Sequence, residues 1–126
     1  MIQEQTLIKV FDNSGAKNAK CIKVLNKKSK AEIGDLIIVT ITQINKNYNF
    51  RISKIKKGSI FLAIVVGLKK IRNTKKSTLL LTNENSVCLL NKQKKLLASR
   101  INKSISKDLK KKKLLKLGSL SIVGFY

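Results

Sequence analysis

The stretch GDLIIVTITQI, residues 34–44, decides the fold: a glycine and an aspartate precede nine residues rich in Ile, Val and Thr. β-branched side chains are stiff at χ1 and pack well on a pleated surface, so Leu36–Ile44 is predicted to be a strand. Further along the chain, Ile60–Val66 is an almost continuous apolar run. A short run of this kind between turn signals is typical of a strand that is buried on both faces.

Shorter runs on either side of these two complete a mainly β pattern. The alternation in one of them predicts that Cys21 shares a face with Lys23 and that Ile22 lies on the opposite one. Many short strands separated by turns favour a small closed β-barrel, which leaves no exposed sheet edge. The additional predicted strands are Leu7–Phe11, Ala19–Leu25, Phe50–Ile55 and a hairpin of Thr78–Leu81 with Val87–Leu90, and the predicted turns and loops are residues 12–15, 27–31, 45–49, 56–59, 67–77 and 83–86.

The last quarter of the chain changes character. Ser106 is a predicted N-cap, and Asp108 in the following turn suits the positive end of a helix dipole. Ser104–Leu117 is therefore predicted to form one or two short helices, followed by a tail. At 126 residues the chain is expected to be one domain, with a barrel over about residues 1–98 and a helical part over about 99–126.

The charge of the chain is extreme, with 28 Lys and Arg against 6 Asp and Glu, a net charge of +22. A polyanion relieves the self-repulsion of such a fold, and nucleic acid is favoured over an anionic membrane because the charge spreads over the whole chain. Lys outnumbers Arg by 25 to 3, which suits phosphate contact better than base reading. Mutational drift in an AT-rich genome also explains this skew.

The lysines concentrate between the predicted elements, where long side chains reach phosphates from a rigid scaffold. Aromatic residues are sparse, so a base-stacking surface for single strands is not expected. Recognition of folded RNA through its shape and backbone is the better prediction. The clusters are Lys27, Lys28 and Lys30; Lys54, Lys56 and Lys57; Lys69 to Lys76; and Lys110 to Lys113.

The residue types of the chain give little support for catalysis or metal binding. The chain has no histidine, which excludes Ser-His-Asp and Cys-His sets, and its carboxylates fall mostly at predicted turns and caps. Cys21 and Cys88 lie far apart within apolar runs, so buried free thiols are expected and a zinc site is not. We therefore predict no enzyme activity, no cofactor and no metal. Residues 1–7 lack the pattern of a signal or transit peptide, and no apolar run is long enough to span a membrane.

Residues throughout the chain resemble the family of large-subunit ribosomal protein fourteen, of bacterial type. The first 25 residues make the resemblance specific, and it continues without long gaps. The departures are Lys76-Ser77 in place of Asp-Gly, Thr82 in place of an aromatic residue, Cys88 in place of Val, and Lys103-Ser104 in place of Gly-Pro. The residues that carry the resemblance are Met1–Thr6, Val10, Asp12–Ala16, Cys21–Leu25, Gly34-Asp35, Lys56–Gly58, Ala63–Val66, Lys69-Lys70, Asn85, Leu89–Asn91, Arg100-Ile101 and Asp108-Leu109.

The resemblance implies a five-stranded β-barrel with a protruding hairpin and short C-terminal helices. It implies binding to large-subunit rRNA at the face that meets the small subunit, with inter-subunit bridges to small-subunit rRNA. It also implies two protein partners, large-subunit ribosomal protein nineteen and a silencing factor that blocks subunit joining. The residues expected to contact RNA are Lys23, Lys56, Lys57, Lys69, Lys70 and Arg100, and those expected on the partner surface are Ser99, Arg100 and Lys116.

Two other functions compete with a ribosomal one. A free barrel-type nucleic-acid module is disfavoured by the few aromatic residues. A membrane-surface protein is disfavoured because the leucines of residues 107–117 do not form one clean stripe. A bacterial-type sequence with AT-rich bias and no import signal favours the mitochondrion, ahead of a plastid or the cytoplasm of a bacterium.

Overall fold

This computed structural model describes residues 2–25, 29–46, 55–69, 71–73, 79–81, 83–111 and 115–121. The predicted strand Phe50–Ile55 lies outside these ranges except for Ile55, which is buried. The elements in chain order are β1 (Leu7–Val10), β2 (Ala16–Val24), β3 (Leu36–Ile44), β4 (Ile60–Gly67), β5 (Ile71–Asn73), β6 (Leu79–Leu81), β7 (Ser86–Leu90), α1 (Asp108–Lys111) and α2 (Leu115–Leu120).

Five of the strands close into a barrel in the order β1-β2-β3-β4-β7, which confirms the predicted fold. Neighbouring strands are antiparallel except β1 and β7, which close the barrel in parallel, with Lys9 opposite Ser86 and Val10 opposite Val87. The predicted bounds of β3 are confirmed. The largest fully buried side chains of the core are Ile2, Ile8, Ile37, Ile41, Leu89, Ile101, Ile105, Leu109, Val39, Val65, Val66 and Val87.

Strand β4 is buried along only part of its length, so the prediction of burial on both faces was wrong for its first residues. Ala63 to Gly67 are buried, whereas Ile60 is 65% exposed. Ile60 pairs with Thr40 of β3, but the pairing of β4 with β7 begins only at Leu62. The start of β4 therefore extends past β7, and no strand among the described residues pairs with it on that side.

A bulge in β2 overturns the predicted alternation of that strand. Cys21 lies opposite Val39, but Lys23 lies opposite Ile38, so Ile22 is an extra residue in the ladder. Both Ile22 and Lys23 are exposed, while Cys21 is buried. The prediction that Cys21 and Lys23 share a face was wrong, because a bulge shifts every later side chain by one position.

The predicted hairpin of Thr78–Leu81 with Val87–Leu90 was also wrong. Strand β6 pairs with β5, which lies inside the segment predicted to be a basic loop, and the two form a separate sheet. Strand β7 instead lies between β4 and β1, and all five of its residues are buried. Strand β7 is thus paired along both of its edges within the barrel.

The C-terminal segment packs onto the barrel. The Ser106 hydroxyl accepts a hydrogen bond from the Asp108 backbone N–H at 3.3 Å, which confirms the predicted cap of α1. Ile105, Leu109 and Leu117 are buried in the barrel core. Neither helix among the described residues has the length and apolar character that crossing a membrane requires.

We expect the Ile37→Ala substitution to lower the free energy of unfolding by about 2–5 kcal/mol, because it leaves a cavity in the barrel. Ile37 is fully buried. The matched control is Ile60→Ala on the neighbouring strand, whose exposed side chain predicts a change within about 0.5 kcal/mol. Urea unfolding followed by circular dichroism measures both. Equal losses in the free energy of unfolding for the two variants would contradict the placement of Ile37 in the core.

Candidate nucleic-acid interface

The carboxylates of the chain neutralise only a small part of its positive charge. All six are among the described residues, against 28 basic residues. Glu84 forms salt bridges with Lys9 and with Lys103, the latter at 3.3 Å, and its hydrogen bond with Lys9 lowers the pKa of the Glu84 carboxyl. With at most a few cations paired in this way, the surface retains a strong positive charge that favours polyanions.

The barrel divides the basic residues expected to bind RNA into two groups. The β1–β2 and β3–β4 connections lie at one end of the barrel, here called the turn end, because β1 and β3 run in the same direction. Lys56, Lys57 and Arg100 belong to the turn end. Lys23 lies near the end of β2 and Lys69 follows β4, and because these two strands run the other way, both lysines belong to the opposite end.

Lys56 and Lys57 are exposed on a turn that is fixed to β3. Gly58 has a φ of 83°, a left-handed conformation that glycine adopts without strain. Its N–H donates to the Ile41 carbonyl at 2.8 Å, while the Ile41 N–H donates to the Ser59 carbonyl at 3.0 Å. The two lysines therefore extend from a rigid support.

Asn13 places Arg100 and Ser99 at the turn end. Its side-chain oxygen accepts from the Arg100 backbone N–H at 3.2 Å, and its side-chain amide donates to the Ser99 hydroxyl at 3.1 Å. The Asn13 N–H also donates to the Arg100 carbonyl at 3.1 Å. Both Ser99 and Arg100 are exposed, so the segment presents them to solvent while its backbone is held.

Asp12 fixes the connection between β1 and β2, a role that the sequence did not predict. Its buried carboxylate accepts from the Leu89 N–H at 2.8 Å, from the Ser14 N–H at 3.1 Å and from the Ser14 hydroxyl. Burial raises the pKa of the Asp12 carboxyl, although these hydrogen bonds act in the opposite direction. The only sequence signal was Asp-x-Ser, the pattern of a local Asx turn, which does not reveal the bond to β7.

At the opposite end, Lys69 is held by a side chain from the start of β7. The Asn85 side-chain oxygen accepts from the Lys69 backbone N–H at 2.8 Å, and the Asn85 carbonyl accepts from the Lys9 N–H at 3.1 Å. Lys23 is exposed just beyond the β2 bulge. Lys70 lies outside the described residues.

An apolar groove of about 750 Å³ lies beside α2, and the sequence reasoning did not anticipate it. Lys116 lines it together with Lys94 and Lys95. The Ile101 N–H donates to the Leu120 carbonyl at 3.0 Å, which ties the segment after Arg100 to the end of α2. The end of α2, the helix that carries Lys116, is thus joined to the segment that follows Ser99 and Arg100. The apolar lining residues are Leu36, Ile64, Leu90, Leu96, Ala98, Leu117 and Leu120.

Comparison with known proteins agrees with the resemblance seen in the sequence. The family model described as ribosomal protein L14p/L23e matches residues 1–123. Over 123 residues the chain is 44% identical to large ribosomal subunit protein uL14 of Carsonella ruddii (strain PV), covering 96% of this chain and 97% of the relative. It is 42% identical over 123 residues to large ribosomal subunit protein uL14c of Eimeria tenella, covering 97% and 98% respectively.

The Asp12→Asn substitution tests the buried carboxyl through the pH dependence of stability. Because the pKa of Asp12 is raised on folding, its contribution to stability is fully present below the unfolded pKa of about 3.9 and is lost as the pH rises through the folded pKa. The free energy of unfolding of the wild type minus that of the variant should therefore fall as the pH is raised from about 3.9. Urea titrations across this range measure the difference. An increase with pH would contradict the assignment.

Proposed function

As a member of the ribosomal protein L14p/L23e family, this chain is a structural constituent of the large ribosomal subunit and not an enzyme, and we propose that it binds large-subunit rRNA. The observation that carries this proposal is the net charge of +22 on a rigid barrel whose connections present exposed lysines. Phosphate contacts from such lysines position a protein on RNA without reading its sequence.

The residues proposed to contact the RNA backbone are those expected from the resemblance. Lys56, Lys57 and Arg100 act at the turn end, and Lys23 and Lys69 act at the opposite end, so the two groups hold different RNA segments. Lys70 is proposed from its sequence position beside Lys69. Compact lysine charges at the ends of the barrel fit the phosphate backbone of A-form RNA, because the deep, narrow major groove of RNA does not admit side chains.

The C-terminal surface is proposed to meet other components of the ribosome. Lys116 lines an apolar groove with a basic rim, and Ser99 and Arg100 directly follow Ala98 of the same lining. Such a groove fits a protein segment with apolar anchors and acidic neighbours. We assign this surface to contacts with large-subunit ribosomal protein nineteen, with small-subunit rRNA across the inter-subunit bridge, and with a silencing factor. The burial of Ile105, Leu109 and Leu117 in the barrel core supports a single domain.

The ribosome is proposed to be of bacterial type, and we place it in the mitochondrion, with a plastid or a bacterial cytoplasm as the alternatives. The bacterial-type resemblance and a composition rich in Lys, Asn and Ile, as an AT-rich genome produces, support an organellar gene. Mass spectrometry of ribosomes purified from isolated mitochondria tests this location. Recovery of the protein from ribosomes of another compartment alone would refute it.

Removing lysines at either end should weaken RNA binding by a comparable amount. We expect Lys56→Gln/Lys57→Gln and Lys23→Gln/Lys69→Gln each to reduce the slope of log K against log salt by about 2, one unit for each phosphate that is no longer neutralised. The combined variant should show additive effects, since the two sites are far apart. Filter binding with large-subunit rRNA over a salt series measures this, with Lys92→Gln/Lys107→Gln as the charge-matched control. Salt-independent binding of rRNA by the wild type would refute the proposed function.

Reversing one charge at the groove should disturb the protein partner and leave RNA binding intact. Lys116→Glu places a carboxylate where we propose acidic partner residues, so about tenfold more silencing factor should be needed to block subunit joining. Light scattering of mixed subunits measures joining, and Lys92→Glu is the control. An unchanged requirement for the factor would remove Lys116 from the partner surface.

A further inference from the structure

A second pocket, of about 600 Å³, opens at the turn end of the barrel. The sequence did not predict it. Its lining is more polar than that of the groove beside α2, since Ile44 is the one apolar residue among the described residues that line it. Two of its lysines, Lys17 and Lys46, are isolated in the sequence and belong to none of the predicted clusters. The lining residues are Lys17, Thr42, Gln43, Ile44, Asn45, Lys46 and Lys57.

The pairing of β2 with β3 brings the lysines of this pocket together. Ala16 lies opposite Ile44 and Asn18 opposite Gln43, so Lys17 sits beside the end of β3. The Asn45 N–H donates to the Gly15 carbonyl at 2.9 Å, which fixes the start of the segment that carries Lys46. Lys57 comes from the turn that is hydrogen-bonded to β3. Three separate segments, each held by backbone hydrogen bonds, thus direct one lysine each to one pocket.

The charge in the pocket is uncompensated within the described part of the chain. None of the residues lining it is a carboxylate, and the described residues include no salt-bridge partner for Lys17, Lys46 or Lys57. Three lysines that line one pocket, with no carboxylate among the lining residues, create a positive local potential that attracts an anion. The arrangement therefore favours a bound anion over an empty pocket.

Neutral hydrogen-bond donors complete the lining. The Gln43 side-chain oxygen accepts from the Asn18 amide at 2.8 Å, which leaves the Gln43 amide nitrogen as a donor. The exposed Asn45 side chain forms no hydrogen bond with another described residue. Amide donors beside lysines are the groups that bind phosphate oxygens in nucleic-acid complexes.

We propose that this pocket binds a backbone phosphate of large-subunit rRNA, with Lys17 and Lys46 as contacts in addition to Lys57. The proposal rests on the proposed function and adds a specific phosphate site to it. The volume lies within the roughly 300–1,000 Å³ of small-ligand sites, so a phosphate can enter with its adjoining ribose. Three compact lysine charges match a phosphodiester rather than a base edge, for which the planar fork of Arg is suited.

The test is the affinity of the Lys17→Gln/Lys46→Gln variant for large-subunit rRNA, with Lys57 left in place. The control is Lys92→Gln/Lys107→Gln, which removes the same charge from exposed positions outside the pocket. We expect the pocket variant to bind at least about tenfold more weakly and to reduce the salt slope by about 1, because the pocket holds one phosphate. The control should change both quantities much less. Unchanged circular dichroism spectra establish that both variants fold.

Equal reductions in affinity for the two double variants would overturn the pocket assignment while leaving rRNA binding in place. Absence of salt-dependent binding by the wild type would instead refute the proposed function. A second arm follows the side-chain amide NMR signals of Gln43 and Asn45. RNA should shift both signals in the wild type and neither in the pocket variant. Saturation of the same shifts by submillimolar inorganic phosphate would show a free-phosphate site and overturn the assignment to RNA.

Discussion

The placement of β7 between β4 and β1 is the constraint on which the rest of the structure depends. All five residues of β7 are buried, and its parallel pairing with β1 removes the last open edges of the barrel sheet. Asp12 adds a polar link at this closure, since its carboxylate accepts the Leu89 N–H. Closure also fixes the connections at both ends of the barrel, which carry the exposed Lys56, Lys57 and Lys69.

A closed barrel also lets a small chain carry a large positive charge. Repulsion among the lysines opposes folding, while the apolar core of the barrel opposes expansion. Glu84 relieves the repulsion locally, because it lies between Lys9 and Lys103, and Lys103 also stands 4.7 Å from the centre of the Phe11 ring. The remaining charge is left to an external polyanion. A polyanion that binds the folded barrel and not the unfolded chain stabilises the fold, by an amount that grows with its concentration relative to Kd.

The sequence predicted features that depend on local pattern and failed where pairing is non-local. Strand β3 and the Ser106 cap follow from β-branched content and capping chemistry, and both were predicted correctly. The bulge at Ile22 depends on the register with β3, which no alternation within β2 reveals. The predicted pairing of β7 with β6 was wrong because it relied on their adjacency in the sequence. Lys17 and Lys46 were missed for the same reason, since only the β2–β3 ladder makes them neighbours.

The groove beside α2 and the pocket at the turn end have similar charge but differ in the polarity of their lining residues. The groove beside α2 and the pocket at the turn end each contain three lysines, so both repel cations and attract acidic partners. Leucine side chains line the groove, and burying them rewards a partner that brings apolar surface of its own. Amide and hydroxyl groups line the pocket, where an apolar partner would displace water from these groups without replacing its hydrogen bonds. The lining thus favours an apolar protein segment in the groove and a phosphate in the pocket, as we propose.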